Sequence, residues 1–328
     1  MNALHYTLIG AGVAAAAAAV GVGVAAPYIH KLFKASFGRS QPSTDGQHDY
    51  LEMLRKKGFD KEVEMVKRGW DRLANAAHEK VYITSHDGHK LCAKLFAPEN
   101  PTATVVLVHG YHSKGDMDFG TVYDFYAQLG IAMLIVYQRA HGESEGEYLT
   151  FGAKERFDIR DWCRYLVERY GEQHSIILDG VSMGCSTVLL ASCLPDIPRQ
   201  VKAVIGDCGY ASAKGQIAQV VKEDMHLPAF AVMPVTSLLC RLYGGAFLGD
   251  AEVERELKHS KIPTLFAHGL ADDFVRPYNS ERNYAACGAP YKRLCLFERA
   301  PHGMSYMLCK EEYEKEILAL LRHAGILN

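Results

Sequence analysis

Residues 176–184 read Ile-Ile-Leu-Asp-Gly-Val-Ser-Met-Gly, and Cys185-Ser186-Thr187-Val188-Leu189-Leu190 follows. A short apolar run, a tight turn centred on Ser182, then a helical run is the context that a G-x-S-x-G elbow requires. The flanking Gly180 and Gly184 have a physical task. Such a turn forces the serine into a strained backbone conformation, and larger neighbours would collide with the adjoining strand or helix. The serine hydroxyl then stands at the C-terminal edge of a sheet, beside a helix N-terminus.

Outward from this stretch, apolar runs alternate with helical patterns. Val105-Val106-Leu107-Val108 is continuous in the way a strand buried on both faces is. Strands are expected at 132–136, 176–178, 201–205, 264–267 and 293–297, and helices at 122–129 and 153–170. Upstream, Val81-Tyr82-Ile83-Thr84 alternates, His86-Asp87-Gly88-His89 supplies a turn, and 91–96 returns as a second strand. The pattern predicts an α/β fold with a mostly parallel central sheet flanked by helices. Between about 209 and 260 the alternation stops. That stretch reads as helices with prolines at their ends, among them Pro228 and Pro234. An insertion there projects over the carboxyl edge of the strands, where ligands bind, so a helical cap over an acyl pocket is expected.

The 328 residues are 48% apolar and 23% charged, which is ordinary for a globular chain with a substantial core. A net charge of -2 with no basic stripe gives no sign of a nucleic-acid partner, and none is expected. The nine cysteines are scattered, with none in C-x-x-C or at zinc-ligand spacing with histidine. Cys185 and Cys193 fall on apolar faces, and the set reads as free thiols of a reducing compartment.

Tyr6 to Tyr28 carries no charge and is rich in alanine, glycine and valine. Its 23 residues are enough to span a bilayer. A single N-terminal anchor is expected within 1–34. Lys31, Lys34 and Arg39 just after the segment place its C-terminal side, and the catalytic domain, in the cytoplasm. A cleaved signal peptide is the rival reading, although the charged n-region is missing, and a buried helix is the third. Residues 35–49 read as a linker. Residues 50–79 read as amphipathic helices broken near Gly58, packing on a domain that runs from 80 to 328.

Three more segments fall at predicted strand ends: Val108-His109-Gly110-Tyr111, His268 to Val275 (HGLADDFV), and Ala300-Pro301-His302-Gly303-Met304. With QRAHGES at 138–144 and GVSMG at 180–184, the chain from about Lys80 onward resembles the α/β-hydrolase superfamily. Within it, the likeness is to single-chain bacterial esterases and prolyl-oligopeptidase-like serine hydrolases with a helical cap. The resemblance implies Ser182 as nucleophile, His302 as general base and acid, and Asp272 as the carboxylate that orients the imidazole. It also implies the backbone N–H groups of Tyr111 and Met183 as oxyanion donors. Asp273 is the neighbouring alternative to Asp272, with a turn cap as its ordinary role. His109, His112, His141 and His268 read as structural. No cofactor or metal is implied.

The expected reaction is hydrolysis of small acyl esters through an acyl-enzyme. An amidase, peptidase or acyltransferase would use the same residues. A peptidase with a propeller-sized selecting domain does not fit into the residues before the sheet. A non-catalytic binding protein on this fold would be expected to lack one of Ser182, Asp272 and His302.

Overall fold

The computed structural model describes residues 30–31, 33–39 and 46–328. The uncharged segment at 6–28 and residues 40–45 lie outside the described residues. Among the described residues, no single helix is long and apolar enough to cross a membrane.

Eight strands form one sheet. They are β1 (Glu79–Thr84), β2 (Lys90–Phe96), β3 (Ala103–Val108), β4 (Ala132–Val136), β5 (Ser175–Val181), β6 (Val201–Asp207), β7 (Thr264–Gly269) and β8 (Lys292–Phe297). Their spatial order is β1-β2-β4-β3-β5-β6-β7-β8. β2 pairs antiparallel with β1 and β4, and every other pairing is parallel. The β1–β2 turn passes through Gly88 at φ +89°, a left-handed conformation that glycine adopts without cost. The continuous apolar runs are the central strands, and every residue of β3 and β4 is buried. Each fully buried valine or leucine contributes roughly 1.5–3 kcal/mol.

Register sets the site. Val108 of β3 pairs with Gly180 of β5, Gly180 with Gly206 of β6, and Asp207 with Ala267 of β7. The carboxyl ends of β3, β5, β6 and β7 therefore finish nearly level, and the loops leaving them converge. The helix Met183–Ser192, buried along its whole length, follows β5. It packs against the long helix Glu155–Tyr170.

The helices Gly46–Lys56 and Asp60–Asn75 are separated at Gly58 (φ +79°). The second buries Val63, Val66, Trp70 and Leu73, and Trp70 Nε1 donates to the Met117 carbonyl at 3.1 Å. This pair covers one flank of the sheet. The stretch read as a linker begins inside a helical turn at 33–37 and is helical again from Gly46. Phe33 and Phe37 stack with centroids 4.7 Å apart and are buried against Val221, Val232 and Met233. Two aromatics four apart were enough to bury this short turn once an apolar partner lay opposite.

Between β6 and β7 lie the helices Ala213–Glu223, Ala229–Leu239 and Val253–Leu257, with no strand. Pro228 precedes the second helix, as expected. Pro234 lies inside that helix, contrary to the expectation that it ends one. The ring removes the donor that would meet the Phe230 carbonyl, and Phe230 is exposed at the first turn, where water can take that role. All nine cysteines are free thiols, most of them buried.

Candidate active site

Ser182 leaves β5 at φ 57°, ψ -117°, a conformation that costs a non-glycine residue about 1–3 kcal/mol. Its surroundings enforce it. A Cβ on Gly184 would run into the Val108 carbonyl, and one on Gly180 into the Gly184 carbonyl. The Ser182 N–H donates to the Asp207 carbonyl at 2.9 Å. Cys208 and His112, in the adjoining loops, are also left-handed.

The structure brings three predicted side chains together. His302 Nε2 lies 2.9 Å from Ser182 Oγ, and His302 Nδ1 lies 2.7 Å from Asp272 Oδ2. Asp272 Oδ1 accepts from the backbone N–H of Phe274 at 3.0 Å and of Val275 at 2.9 Å. Burial pushes the Asp272 carboxyl up, but hydrogen bonds from His268 and His302 outweigh it and bring the group down to about 2. An ionised Asp272 accepts the Nδ1 proton of His302. Nε2 then carries the lone pair that faces the serine hydroxyl. Asp273 is exposed.

His268 reads as structural in the sequence, and the structure gives it a specific place. Fully buried, it directs Nε2 at Asp272 Oδ2 (3.1 Å) and the Val275 carbonyl (2.7 Å), while Nδ1 lies 2.6 Å from Ser280 Oγ. It thereby holds the same carboxylate oxygen that His302 contacts. Its spacing of four from Asp272 was the available signal. Asp207 was missed altogether. It is buried at the end of β6, its carboxyl raised by desolvation, and it accepts from Ser305 Oγ at 3.1 Å.

The loop after β3 abuts the serine: a Cβ on Gly110 would lie 3.4 Å from the Ser182 Cβ. The Gly110 N–H donates to Asp118 Oδ2 at 2.8 Å, and Ser113 Oγ donates to Asp118 Oδ1 at 2.5 Å. Asp118, not singled out in the sequence, pins this loop. His109 is structural, as expected. Nδ1 donates to the Gly110 carbonyl at 2.8 Å, and Nε2 accepts the Gln138 N–H at 3.2 Å. His141 Nδ1 donates to the Arg139 carbonyl. Arg139 grips Asp158 with Nε at 2.7 Å and Asp87 with Nη1 at 2.9 Å, so the 138–144 loop ties the β1–β2 turn to the helix Glu155–Tyr170.

Ser182 opens into an apolar pocket of about 940 Å³, counting its open mouth. Tyr111 and Met183 line it beside the serine. Phe33 and Phe37 form one wall, Ile217 and Val221 another, and Val235 and Leu239 a third. The Tyr111 hydroxyl donates to the Ser36 carbonyl at 2.6 Å. The 33–37 turn was invisible as a site element, because its partners, from Tyr111 to Val232, are 75 or more residues away in sequence.

Residues 99–241 match the family model described as serine aminopeptidase, S33. The esterase Pf2001 of Pyrococcus furiosus superposes with a TM-score of 0.63 at 22% identity, over 77% of this chain and 94% of that one. The chain has the α/β-hydrolase fold. Among relatives of this hydrolase-fold chain, the uncharacterized protein YqkD of Bacillus subtilis is 26% identical over 242 residues, 73% of this chain and 77% of its own. The uncharacterized membrane protein YNL320W of Saccharomyces cerevisiae is 26% identical over 69% of this chain and 74% of its own.

Proposed function

We propose that this α/β hydrolase is a serine esterase that cleaves carboxylic esters with apolar acyl groups through an acyl-enzyme. The observation that carries this reading is the unbroken hydrogen-bond chain from Ser182 through His302 to Asp272 at the mouth of an apolar pocket. His302 takes the Ser182 proton as Oγ attacks the acyl carbon. The alkoxide formed at the carbonyl is met by the N–H groups of Met183, at the start of a ten-residue helix, and of Tyr111. His302 then protonates the leaving alcohol, and water repeats the sequence to release the acid. Asp272 holds the imidazole in the required tautomer and stabilises its charged form. The helices of 213–239 act as a cap over the acyl site.

Amide substrates are the second reading, supported by the family match over 99–241. An aminopeptidase must neutralise a substrate ammonium, and the pocket lining contains no carboxylate among the described residues. This favours esters. The named membrane relative supports the anchor reading of 6–28.

Ser182→Ala should abolish labelling by a fluorophosphonate probe and hydrolysis of p-nitrophenyl acyl esters. A mutant as reactive as the parent refutes the mechanism. Aminoacyl-anilides run beside an ester chain-length series decide between the two readings: preferential anilide turnover would overturn the ester assignment.

A further inference from the structure

The outer face of the helix Ala229–Leu239 and the turn that follows it is unlike the rest of the surface. Phe230 is 84% exposed, Leu242 67% and Leu238 52%, with Phe247 beside them. Phe230, Pro234, Leu238 and Leu242 recur every four residues, so they form one stripe along the helix. The inner face of the same helix, through Val235 and Leu239, lines the pocket. A contiguous exposed apolar stripe on a globular chain marks an interaction surface.

Two observations say what covers it. The first is where the uncharged segment 6–28 joins the described structure. His30 lies against Tyr243, with ring centroids 4.7 Å apart, and its Nε2 is 3.1 Å from the Tyr148 hydroxyl. The segment therefore delivers the chain next to Leu242, at one end of the stripe. The second is charge. Lys214 borders Phe230 and Leu238 in the shallow groove over the stripe. Arg241 lies 5.8 Å above the Phe247 ring, and Lys31 and Lys34 are exposed on the incoming turn. Apolar side chains ringed by cations are suited to the boundary between acyl chains and anionic headgroups.

We infer that this face of the cap rests on the lipid bilayer, with Phe230, Leu238, Leu242 and Phe247 inserted at the acyl–headgroup boundary. The inference builds on the anchor reading of 6–28 and adds a second, independent contact with the same bilayer. One wall of the pocket then stands between the lipid surface and Ser182.

The test uses the full chain reconstituted in phosphatidylcholine–phosphatidylglycerol vesicles, with or without acyl-chain bromination. The two native tryptophans, Trp70 and Trp162, are buried and give a constant background. Phe230→Trp and Leu242→Trp report on the cap, Val13→Trp on the anchor segment, and Glu99→Trp on the exposed turn before β3, at the opposite end of the sheet. Brominated lipid should quench the added emission of both cap variants and leave that of Glu99→Trp unchanged. Quenching of Val13→Trp alone keeps the anchor and overturns the cap contact. Failure of the chain to float with the vesicles overturns both. A cap emission that is blue-shifted yet unquenched means that protein covers the stripe, either the N-terminal segment or a second copy, and also overturns the inference. Quenching at Glu99→Trp as well would show indiscriminate adsorption and refute it.

Discussion

Replacing Asp272 by Asn changes one atom and one charge. Asn keeps an Oδ1 for the Phe274 and Val275 N–H groups, at 3.0 and 2.9 Å. Its amide nitrogen then faces His302 Nδ1, 2.7 Å from the present oxygen, and His268 Nε2, 3.1 Å from it. Donor would meet donor, so His302 must present a lone pair at Nδ1 and carry its proton on Nε2. That proton points at Ser182 Oγ, and the ring can no longer accept from it. The loss in kcat should be about 10⁴-fold, the scale seen when a triad histidine is held in the wrong tautomer, or about 5.5 kcal/mol in the barrier. KM should change little. Stability falls as well. The folded state holds the Asp272 carboxyl at about 2, below its ordinary 3.8. The ionised form therefore contributes on the order of 2 kcal/mol at neutral pH, fully present above about pH 4 and lost as pH falls through about 2. The variant should melt lower than the parent at pH 7, and the gap should close towards pH 2. Steady-state kinetics on a p-nitrophenyl ester and thermal melts across pH 2–7 check both arms. Activity within tenfold of the parent refutes the argument and moves the role to the next buried carboxylate, Asp207, which Asp207→Asn would then reveal.

Gly184→Ala should destabilise by about 3 kcal/mol, because the new methyl meets the Val108 backbone, which cannot move without shifting β3. A melting temperature within about 2 °C of the parent would show that the elbow relaxes more easily than its contacts imply. Asp179 on β5 accepts the Tyr126 hydroxyl at 2.7 Å, and burial lifts its carboxyl to about 7. Its favourable neutral form stabilises the fold below about pH 4, and that contribution is lost as pH rises through about 7. Asp179→Asn should therefore match the parent in urea unfolding at pH 4 and exceed it at pH 8.5, by up to about 4 kcal/mol; superimposable pH profiles would overturn this.

What was legible in the sequence is what has a local or periodic cause. The runs of β3 to β7 are apolar because both sheet faces are covered, and their order follows from the helices between them. Ser182 could be read because its turn demands glycine at two fixed places. The pairing of Asp272 with His302 came from resemblance, since nothing local relates residues 30 apart. The hidden parts are those whose cause lies across space. Phe33 closes the stretch read as an anchor and Phe37 opens the one read as a linker, and only their packing on Val221 and Val232 makes them a wall of the pocket. Asp118 has the sequence of an ordinary helix residue, yet it holds Gly110, the residue before Tyr111. Pro234 punctuates a sequence as a helix end, but at an exposed first turn the stranded carbonyl can be hydrated, and the helix runs through.

These non-local contacts bear on how the site works as a unit. The Tyr111 ring stacks on Phe151 with centroids 5.7 Å apart, and its hydroxyl is held by the Ser36 carbonyl. Phe37 meets the same Phe151 edge-on at 5.3 Å. The residue proposed to donate to the oxyanion is thus braced from behind by the turn that emerges from the uncharged N-terminal segment. A donor loop acts by being in place before charge develops. Whatever holds residues 33–37 therefore also holds the geometry at Ser182. The anchor reading and the esterase reading meet at that turn, because a segment fixed in a bilayer would restrain the turn and, through Tyr111, the proposed acylation site.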